Sequence, residues 1–519
     1  MEYFSSATKR LLFGDAESTR GRITHEIGQT LFPFLYPPQE VAKNDFSRKD
    51  DYLFLPNHLC AKQLFHFETG SLLLIGGAFT LLCLLVLATF FSTSILVIAT
   101  AVISIFYFIF MVFKLWVVRR SLSFGMTDFA PEEIAQLRDD ELPLYTVLVP
   151  LLHEAEVAHQ IVSALTKLDY PEDKLNFIIT LEQHDTETYE ALMQAGMPAS
   201  WKICWLPDTK PKAKPKSLNV AFLETYGEHL VIYDAEILPD HDQLKKAVLA
   251  FREQPNIAVF QTRLDHYNTD QNIITKLFNT EFTFHYDMFL PGLQSLNVPI
   301  PLSGHSVHYR TEALVRAGAW DPYNVAEDCE LGVRLHRAGY RTGIINSISR
   351  EEAASDVWGW VKQRTRWMKG FIQTSIVHLR YPLHLKEELG SWKDFVAFCM
   401  LVPGTVLLNV LNFFSWFVLL AWFVTGAEAI RDMYPMIVLY IANIAALAGG
   451  FIFMYLNLVA LYRRNNFHLV KYFFLTPVYW FLLAFATARA FWQLRSYEST
   501  HTWEKTTHGT HLVRAKAQT

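Results

Sequence analysis

Long apolar segments lie on both sides of a polar central segment in this chain. Most of the long uncharged runs fall in residues 71–118 and 394–494, whereas residues 119–390 have the mixed composition of a soluble α/β domain. A helix that crosses a bilayer needs about 20 apolar residues. Four segments meet that length, namely 72–92, 95–117, 395–424 and 434–461. We therefore expect two membrane-spanning helices, a folded inserted domain, and two further spans.

Pairs of arginines indicate how these spans are oriented. Arg119 and Arg120 follow the second span, and Arg463 and Arg464 follow the fourth. Because arginine-rich ends face the cytoplasm, both pairs place the inserted domain there. We expect a multi-pass protein of the inner or plasma membrane with the inserted domain in the cytoplasm.

The last apolar segment, residues 468–494, has two interpretations. As a fifth span, it would put the C-terminus outside the cell. As an interfacial or re-entrant helix, it would keep the tail inside. Lys471, Pro477 and Arg489 interrupt its apolar pattern, which favours the interfacial helix. The expected organisation then has five parts. Residues 1–70 form a cytoplasmic or interfacial segment, 71–120 two transmembrane helices, and 121–390 the inserted domain with interfacial helices. Residues 391–465 form two further transmembrane helices, and 466–519 an interfacial helix with its tail.

Composition excludes some classes of function. The formal net charge of −5 gives no basic excess, so a nucleic-acid partner is not expected. The five cysteines form no CxxC and no zinc spacing, which suggests buried thiols in a reducing compartment. The first thirty residues lack the apolar core of a cleaved secretion signal.

The central segment alternates between strand and helix patterns. Candidate strands are 145–151, 177–182, 202–206, 229–234, 257–263 and 341–346, and helical patterns such as 156–167, 216–226 and 240–253 lie between them. Near-continuous apolar strands that alternate with helices predict a mostly parallel sheet covered on both faces. Ligands bind such sheets outside the carboxyl ends of the strands.

Acidic residues follow two of these strands. Asp234 and Glu236 end the fourth, where alternation puts both carboxylates on one side, as a Mg²⁺ or Mn²⁺ site requires. By itself Asp-x-Glu is also a common solvated turn. Glu182 and Asp185 end the second strand, where they could bind a base or ribose, or cap the next helix. Lys216 belongs to a lysine cluster that could bind a diphosphate or form a basic loop.

Two later motifs suit an acceptor and a diphosphate. Glu327 and Asp328 precede a helical stretch, where a carboxylate could deprotonate a hydroxyl or merely complement the helix dipole. Residues 356–378 predict an amphipathic helix. Gln363, Arg366 and Trp367 fall within one turn of it, so arginine could hold phosphate while tryptophan stacks on a sugar.

In this order the motifs resemble those of membrane-integrated, processive family-2 glycosyltransferases, the group of cellulose, chitin and hyaluronan synthases. The family pattern is an Asp, a D-x-D, a T-E-D and a Q-x-x-R-W. The matching positions are Asp185, Asp234 with Glu236, Glu327-Asp328, and Gln363 with Arg366-Trp367. Three features differ, because the second motif is D-x-E, Ala326 replaces the threonine, and the early acid lies in Glu182-Gln183-His184-Asp185.

The resemblance implies a GT-A-type α/β domain and assigns roles to residues. Asp328, beside Glu327, would be the general base, and Asp234 and Glu236 would hold Mg²⁺ or Mn²⁺ on the nucleotide diphosphate. Substrate contacts would come from the remaining motif positions: Glu182, Asp185 and Lys216 at the nucleoside, Ser303 and Gly304 in the acceptor loop, Gln363, Arg364, Arg366 and Trp367 at the diphosphate and terminal sugar, and Trp503, Thr506 and His508 in a tail similar to the cellulose-synthase gating loop.

The expected function is therefore an inverting, processive membrane polysaccharide synthase. Its partners would be a UDP-sugar donor, with UDP-glucose favoured and UDP-N-acetylglucosamine next, a growing β-glycan secreted across the bilayer, and export proteins. One alternative is a non-processive transferase that adds a single sugar to a lipid carrier. A transporter is the other, and few ionisable residues in the spans argue against it.

Overall fold

A computed structural model describes residues 55, 59–63, 94–207, 210–425 and 436–504. The expected span at 72–92, most of the N-terminal segment, and Thr506 and His508 of the expected gating loop lie outside these residues. The central polar segment forms the expected α/β domain, and long apolar helices adjoin it in sequence on both sides.

One eight-stranded sheet forms the centre of the inserted domain. Its strands are β1 Tyr145–Pro150, β2 Leu175–Glu182, β3 Lys202–Leu206, β4 His229–Ile232, β5 Leu238–Pro239, β6 Ile257–His266, β7 Val307–Arg310 and β8 Arg341–Glu351. Their order across the sheet is β3-β2-β1-β4-β7-β6-β8-β5. All six expected strands form, and the sequence pattern missed only the two short strands β5 and β7 among the described residues.

The sheet is mixed rather than mostly parallel. Strands β1 to β4 pair in parallel, as do β6 and β8. Strand β7 runs antiparallel to β4 and β6, and β5 runs antiparallel to β8. Because β7 reverses direction between them, β4 and β6 still point the same way. The carboxyl ends of β1, β2, β3, β4, β6 and β8 therefore share one edge of the sheet.

The apolar strands are buried on both faces. Along β1, Val147 and Val149 join one hydrophobic cluster and Leu148 joins another, and all three side chains are fully buried. This alternation explains why the strand carries no polar face. Burying both faces fixes the register of the strands, and with it the position of the residues that follow their carboxyl ends.

Helices cover the sheet after an apolar entry helix, α1 (Ser94–Leu122). The helices of the inserted domain are α2 Pro131–Ala135, α3 Ala158–Leu165, α4 Thr186–Gln194, α5 Lys214–Phe222, α6 Gln243–Glu253, α7 Ile273–Phe284, α8 Leu290–Leu296, α9 Thr311–Ala317, α10 Glu327–Arg337, α11 Val357–Leu379 and α12 Pro382–Leu389. Helix α11 is the expected amphipathic helix, and Asp356 caps it by accepting a hydrogen bond from the Gly359 amide at 2.6 Å.

The C-terminal part of the chain is helical. Its helices are α13 Trp392–Leu401, α14 Pro403–Thr425, α15 Met436–Arg463, α16 Thr476–Gln493 and α17 Tyr497–His501, with a 3-10 helix at Phe467–Leu475 before α16. The third expected span is interrupted, because α13 ends at Leu401 and Pro403 begins α14.

Three helical segments of the described chain are long and apolar enough to cross a membrane by length and composition. They are Thr100–Leu122, Trp392–Trp416 and Phe467–Gln493. The first two match the second and third expected spans. The third covers the segment for which the sequence favours an interfacial helix, so length alone leaves both of its interpretations open. The described apolar part of α15, Gly449–Arg463, is shorter.

Candidate active site

A cleft of ≈ 1250 Å³, counting space open to solvent, lies at the carboxyl ends of the parallel strands. Most of the residues expected to bind substrate or metal line it. These residues are Glu182, Lys216, Asp234, Glu236, Ser303, Gly304, Glu327, Asp328, Gln363, Arg366, Trp367 and Trp503. Strand register explains the convergence of the first half of this set. Val307 of β7 lies opposite Ile232 of β4, which brings the loop before β7 beside Asp234.

Asp234 and Glu236 lie in the cleft, and Lys214 contacts Asp234. The Lys214 ammonium lies 2.5 Å from Asp234 Oδ1 and donates to the Gly304 carbonyl at 3.0 Å. Burial, followed by the charges of Asp234 and Glu351, raises the pKa of Glu236 to about 8. A second cation beside these carboxylates would relieve their mutual repulsion.

Hard carboxylate oxygens fit a divalent metal ion. Within the described residues, no group of three or more His, Cys, Asp and Glu side chains is arranged to hold a metal ion. Asp234 and Glu236 would supply only two protein ligands, and a Mg²⁺ or Mn²⁺ ion at this position would take the remaining ligands from phosphate and water. This donor set suits an ion that binds together with a diphosphate.

The second acidic pair begins helix α10. Glu327 is 3% exposed, and burial followed by the charge of Asp328 raises its pKa to about 8. Burial also raises the pKa of Asp328, although the Cys329 amide donates to its Oδ1 at 2.8 Å. Ala326 is the N-cap residue of α10 and makes no side-chain cap. The two acids occupy its first turn, where the helix dipole also favours negative charge.

Gly304 approaches Asp328 more closely than any other residue type could. A β-carbon on Gly304 would lie 2.7 Å from Asp328 Oδ2, and the glycine has a φ of +76°. L-residues with a side chain rarely adopt this backbone conformation. The loop that precedes β7 thus places a backbone without a side chain directly against the carboxylate.

Lysines line the side of the cleft next to α5. Burial lowers the pKa of Lys214, but Asp234 and Glu327 outweigh burial and leave it raised. Lys216 is 4% exposed and donates to the Pro207 carbonyl at 3.3 Å. Lys212 lies 3.7 Å from Glu182. The cleft therefore has a cationic wall that faces its acidic groups.

Helix α11 contributes the residues opposite that wall. The guanidinium of Arg366 lies over the Trp503 ring, 4.0 Å from its centroid, and also donates to the Val325 carbonyl at 3.5 Å. Arg366 Nε, Gln363 Oε1 and His305 Nδ1 are buried and have no hydrogen-bond partner within the described part of the chain. Buried polar groups of this kind can hydrogen-bond a polar ligand.

Among the expected substrate residues that the structure describes, two lie outside the lining of the cleft. Asp185 caps α4 by accepting from the Thr188 amide, and it also accepts from the His153 amide at 2.7 Å. Burial raises the pKa of Asp185, but these donors outweigh burial and lower it. Buried Arg364 forms an ion pair with the partly exposed Glu281 and lies close to several aromatic rings, including that of Trp367. Its position on α11 explains this, because Arg364 and Arg366 are 200° apart around a helix.

The cleft also contains residues that the sequence patterns did not single out as site residues. Glu351 ends β8 and lies 3.1 Å from His305 Nε2 and 3.2 Å from His266 Nε2. Lys214 belongs to the same lysine cluster as Lys216. The resemblance names Lys216, and local sequence patterns do not distinguish which lysine contacts the acidic groups. The sequence signal for Glu351 is a carboxylate at the end of a strand. That this carboxylate reaches the cleft follows only from the pairing of β8 with β6.

Comparison with known proteins identifies the family. The sequence profile described as Glycosyl transferase family group 2 matches residues 229–493, just over half of the chain. The probable glycosyltransferase YdaM of Bacillus subtilis (strain 168) is 26% identical over 235 residues, which are 44% of this chain and 56% of that protein. The chain therefore spans little more than half the length of this curated relative.

Two solved structures are similar at low identity. The mannosyltransferase PcManGT from Pyrobaculum calidifontis, in complex with GDP-Man and Mn²⁺, aligns with 68% of this chain and 97% of its own, with a TM-score of 0.42 and 19% identity. Staphylococcus aureus TarS 1-349 in complex with UDP-GlcNAc aligns with 49% and 72%, with a TM-score of 0.34 and 15% identity. From the profile match, this chain belongs to Glycosyl transferase family group 2.

Proposed function

We propose that this glycosyltransferase is an inverting, processive membrane polysaccharide synthase. It transfers sugar from a UDP-sugar, with UDP-glucose favoured and UDP-N-acetylglucosamine next, to a growing β-glycan that it secretes. One observation carries the proposal: the second acidic pair, the metal-binding pair and the Gln/Arg/Trp residues of α11 line a single cleft together with Trp503.

Asp328 is the general base of the proposed reaction. Its carboxylate lies against Gly304, so an acceptor hydroxyl can approach without a side chain in the way. Burial raises the pKa of Asp328, which improves its match to a proton removed near neutral pH. The acceptor oxygen attacks the anomeric carbon as its proton passes to Asp328, the bond to the diphosphate breaks, and the configuration at that carbon inverts.

Positive side chains bind the departing UDP. Lys214 and Arg366 each lie close to the acidic groups of the cleft, whose negative charges favour the protonated form of both side chains. Both are largely desolvated, which strengthens their interaction with a developing diphosphate charge. Asp234 and Glu236 would hold Mg²⁺ or Mn²⁺, which supplies Lewis-acid stabilisation of the diphosphate when bound.

Aromatic side chains at one end of the cleft suit an acceptor chain that stays bound. Trp367 lines the cleft and packs against Phe278 and Phe282 of α7, which holds its ring in place. Trp503 covers Arg366 from the C-terminal segment. Stacking of a sugar on such rings retains the product between additions, and this is the feature that favours processivity.

Contacts at both ends of the last apolar segment support an interfacial position for it. Arg464, just before it, forms an ion pair of 2.6 Å with Asp287 of the inserted domain. Trp503, just after it, lies in the cleft of the same domain. A single crossing would place these two ends on opposite sides of a core about 30 Å thick. We therefore place residues 467–493 along the cytoplasmic membrane surface.

The test is donor use by the purified full-length chain in lipid nanodiscs. Nucleotide release is measured with UDP-glucose, UDP-N-acetylglucosamine, other UDP-sugars and GDP-mannose, each with Mg²⁺ or Mn²⁺. We expect release of UDP from one UDP-sugar and a polymer resistant to lipid extraction. Release from GDP-mannose alone would contradict the donor assignment.

A non-processive transferase that adds one sugar to a lipid carrier is the alternative. Helix α11, which lines the cleft, packs against the apolar helices α14 and α16, and this position suits a lipid acceptor as well. Sizing the product from radiolabelled donor separates the two functions. Long chains from limiting enzyme support processive synthesis, whereas a single labelled sugar on an extractable lipid would overturn it.

A further inference from the structure

We propose that Asp321 is a positioning residue, through which the N-terminal segment of the chain fixes the catalytic carboxylates. This inference rests on the transfer reaction proposed above. Residues 321–326, named here the base loop, lead directly into Glu327 and Asp328 at the start of α10. The part of the N-terminal segment that makes this contact is the described stretch 59–63, which lies before the first apolar run.

Asp321 joins the base loop to the N-terminal segment. It is fully buried, and the Ala61 amide donates to its Oδ2 at 2.8 Å. The Cys60 thiol lies 3.4 Å from its Oδ1, which also accepts from the Tyr323 amide at 3.0 Å. Both carboxylate oxygens therefore bind donors, and one oxygen connects residues that are 260 positions apart in the chain.

Apolar and cationic contacts add to this junction. Cys60 and Ala61 are 1% and 0% exposed and share a hydrophobic cluster with Tyr323 and with residues of α11 and α16. The Lys62 ammonium lies 5.0 Å from the centroid of the Tyr323 ring. The N-terminal segment is thus packed into the protein at this point, and its contacts concentrate on the first half of the base loop.

Helix α11 holds the middle and the second half of the base loop. The Val325 amide donates to Gln373 Oε1 at 3.0 Å, and Gln373 Nε2 donates to the Tyr323 carbonyl at 3.2 Å. A β-carbon on Gly370 would lie 2.2 Å from the Ala326 β-carbon, so the two backbones are in close contact. The loop is fixed at its end by α11, and at its start by Asp321.

A loop anchored at both ends can hold a base precisely, and release of one end lets the base move. A displacement of about 1 Å at a reacting group can reduce turnover about a hundredfold. Loss of the Asp321 junction should therefore lower kcat more than it lowers nucleotide binding. The cationic wall and Glu182, which are proposed to bind the nucleotide, lie on other elements. An effect on kcat with intact binding separates a positioning role from a general role in folding.

Two variants of the full-length chain in nanodiscs test this. Ala61→Pro removes the amide donor to Asp321 at the first position of a 3-10 helix, where proline is tolerated. Asp321→Asn removes the charge and one acceptor oxygen. Cys60→Ser is the matched control, because its hydroxyl can still donate to Asp321. We expect kcat to fall about tenfold to a hundredfold in both test variants, with the Kd for nucleotide within about twofold of wild type.

Hydrogen exchange gives a readout that does not depend on activity. We expect faster exchange of the backbone amides at residues 323–329 in Ala61→Pro and Asp321→Asn, and unchanged exchange in Cys60→Ser. Wild-type kcat with wild-type exchange in both test variants would overturn the inference. Loss of nucleotide binding in parallel with kcat would also overturn it, because Asp321 would then support the whole domain. A wild-type chain that releases no UDP contradicts the proposed function instead, and the exchange comparison still decides the role of Asp321.

Discussion

Gly304 and Asp328 are in direct contact across the cleft, with room for only a hydrogen atom on the glycine. A β-carbon there would lie 2.7 Å from Asp328 Oδ2, and the φ of +76° disfavours any other residue. The two residues are on separate elements, one before β7 and one at the start of α10. Their contact thus sets the distance between the acceptor loop and the proposed base.

Gly304→Ala is expected to reduce transfer strongly. The added methyl group must displace the Asp328 carboxylate, and a shift of about 1 Å in a reacting group costs about a hundredfold in rate. Gly339→Ala is the matched control, because Gly339 has a φ of +87° and nothing within 4 Å of its β-carbon position. Both variants should lose about 1 kcal/mol of stability. Equal transfer rates in the two variants would show that the Gly304 contact is unimportant.

Asp328→Asn is expected to abolish transfer while nucleotide binding persists. The amide keeps the shape of the side chain but cannot take the acceptor proton, a function that contributes about a hundredfold to ten-thousandfold. Single-turnover transfer and UDP binding by calorimetry give the two readouts. Asp139→Asn at an exposed position is the control. Polymer synthesis retained by Asp328→Asn would remove the base assignment.

Transfer is expected to fail as the pH falls, at a higher pH than the usual pKa of an aspartate would give. Burial raises the pKa of both Asp328 and Glu327, the latter to about 8. A base must be deprotonated, so kcat/KM falls as the pH drops through the raised pKa. Lys214 lowers the pKa of Asp328, and Lys214→Met should therefore move the acid limb to higher pH.

The control for that pH shift is Lys212→Met. Lys212 is 53% exposed and lies beside Glu182 rather than beside the acidic pair of α10. The acid limb of its kcat/KM profile should match that of the wild-type chain. An acid limb that stays in place in Lys214→Met would contradict the assigned electrostatic coupling.

Two neighbouring arginines of α11 should give opposite phenotypes. Arg364→Met breaks the pair with Glu281, which is 35% exposed, and should cost about 2 kcal/mol of stability after allowance for that exposure. Arg366→Met should instead raise the KM for donor, because Arg366 faces the cleft. Thermal unfolding and donor saturation curves distinguish them. A large KM change in Arg364→Met alone would reverse these assignments.

Removal of divalent cations by EDTA should stop transfer, and Mg²⁺ or Mn²⁺ should restore it. Glu236→Gln should raise the half-saturating metal concentration about tenfold, the change expected for a loss of about 1.4 kcal/mol in binding. Glu182→Gln has the same chemical change at the lysine-lined part of the cleft and should leave the metal requirement unaltered. Full activity in EDTA would refute the metal assignment.

The sequence predicted the α/β class and the positions of most strands, because near-continuous apolar runs such as β1 and β2 have few other stable arrangements. It did not predict β7. Four residues without a long apolar run give no distinctive pattern, and their strand identity depends on pairing with β4 and β6. The mixed character of the sheet follows from that pairing.

Local patterns also could not separate the roles of adjacent residues. Arg364 and Arg366 belong to the same motif, yet one pairs with Glu281 and the other faces the cleft, because the neighbours of α11 differ on its two sides. Asp185 shows the same ambiguity. Its spacing fits both a ligand and a helix cap, and the hydrogen bond that it accepts from the Thr188 amide matches the cap.

The sequence by itself determined the chemistry available to this protein: acidic groups after strands, an amphipathic helix with arginine and tryptophan, and apolar helices on both sides. These follow from local composition and periodicity. Tertiary structure alone decided that Gly304 contacts Asp328, that Glu351 lines the cleft, and that Asp321 accepts a hydrogen bond from the Ala61 amide. Contacts between residues far apart in the chain depend on strand register and helix packing, which no local pattern specifies.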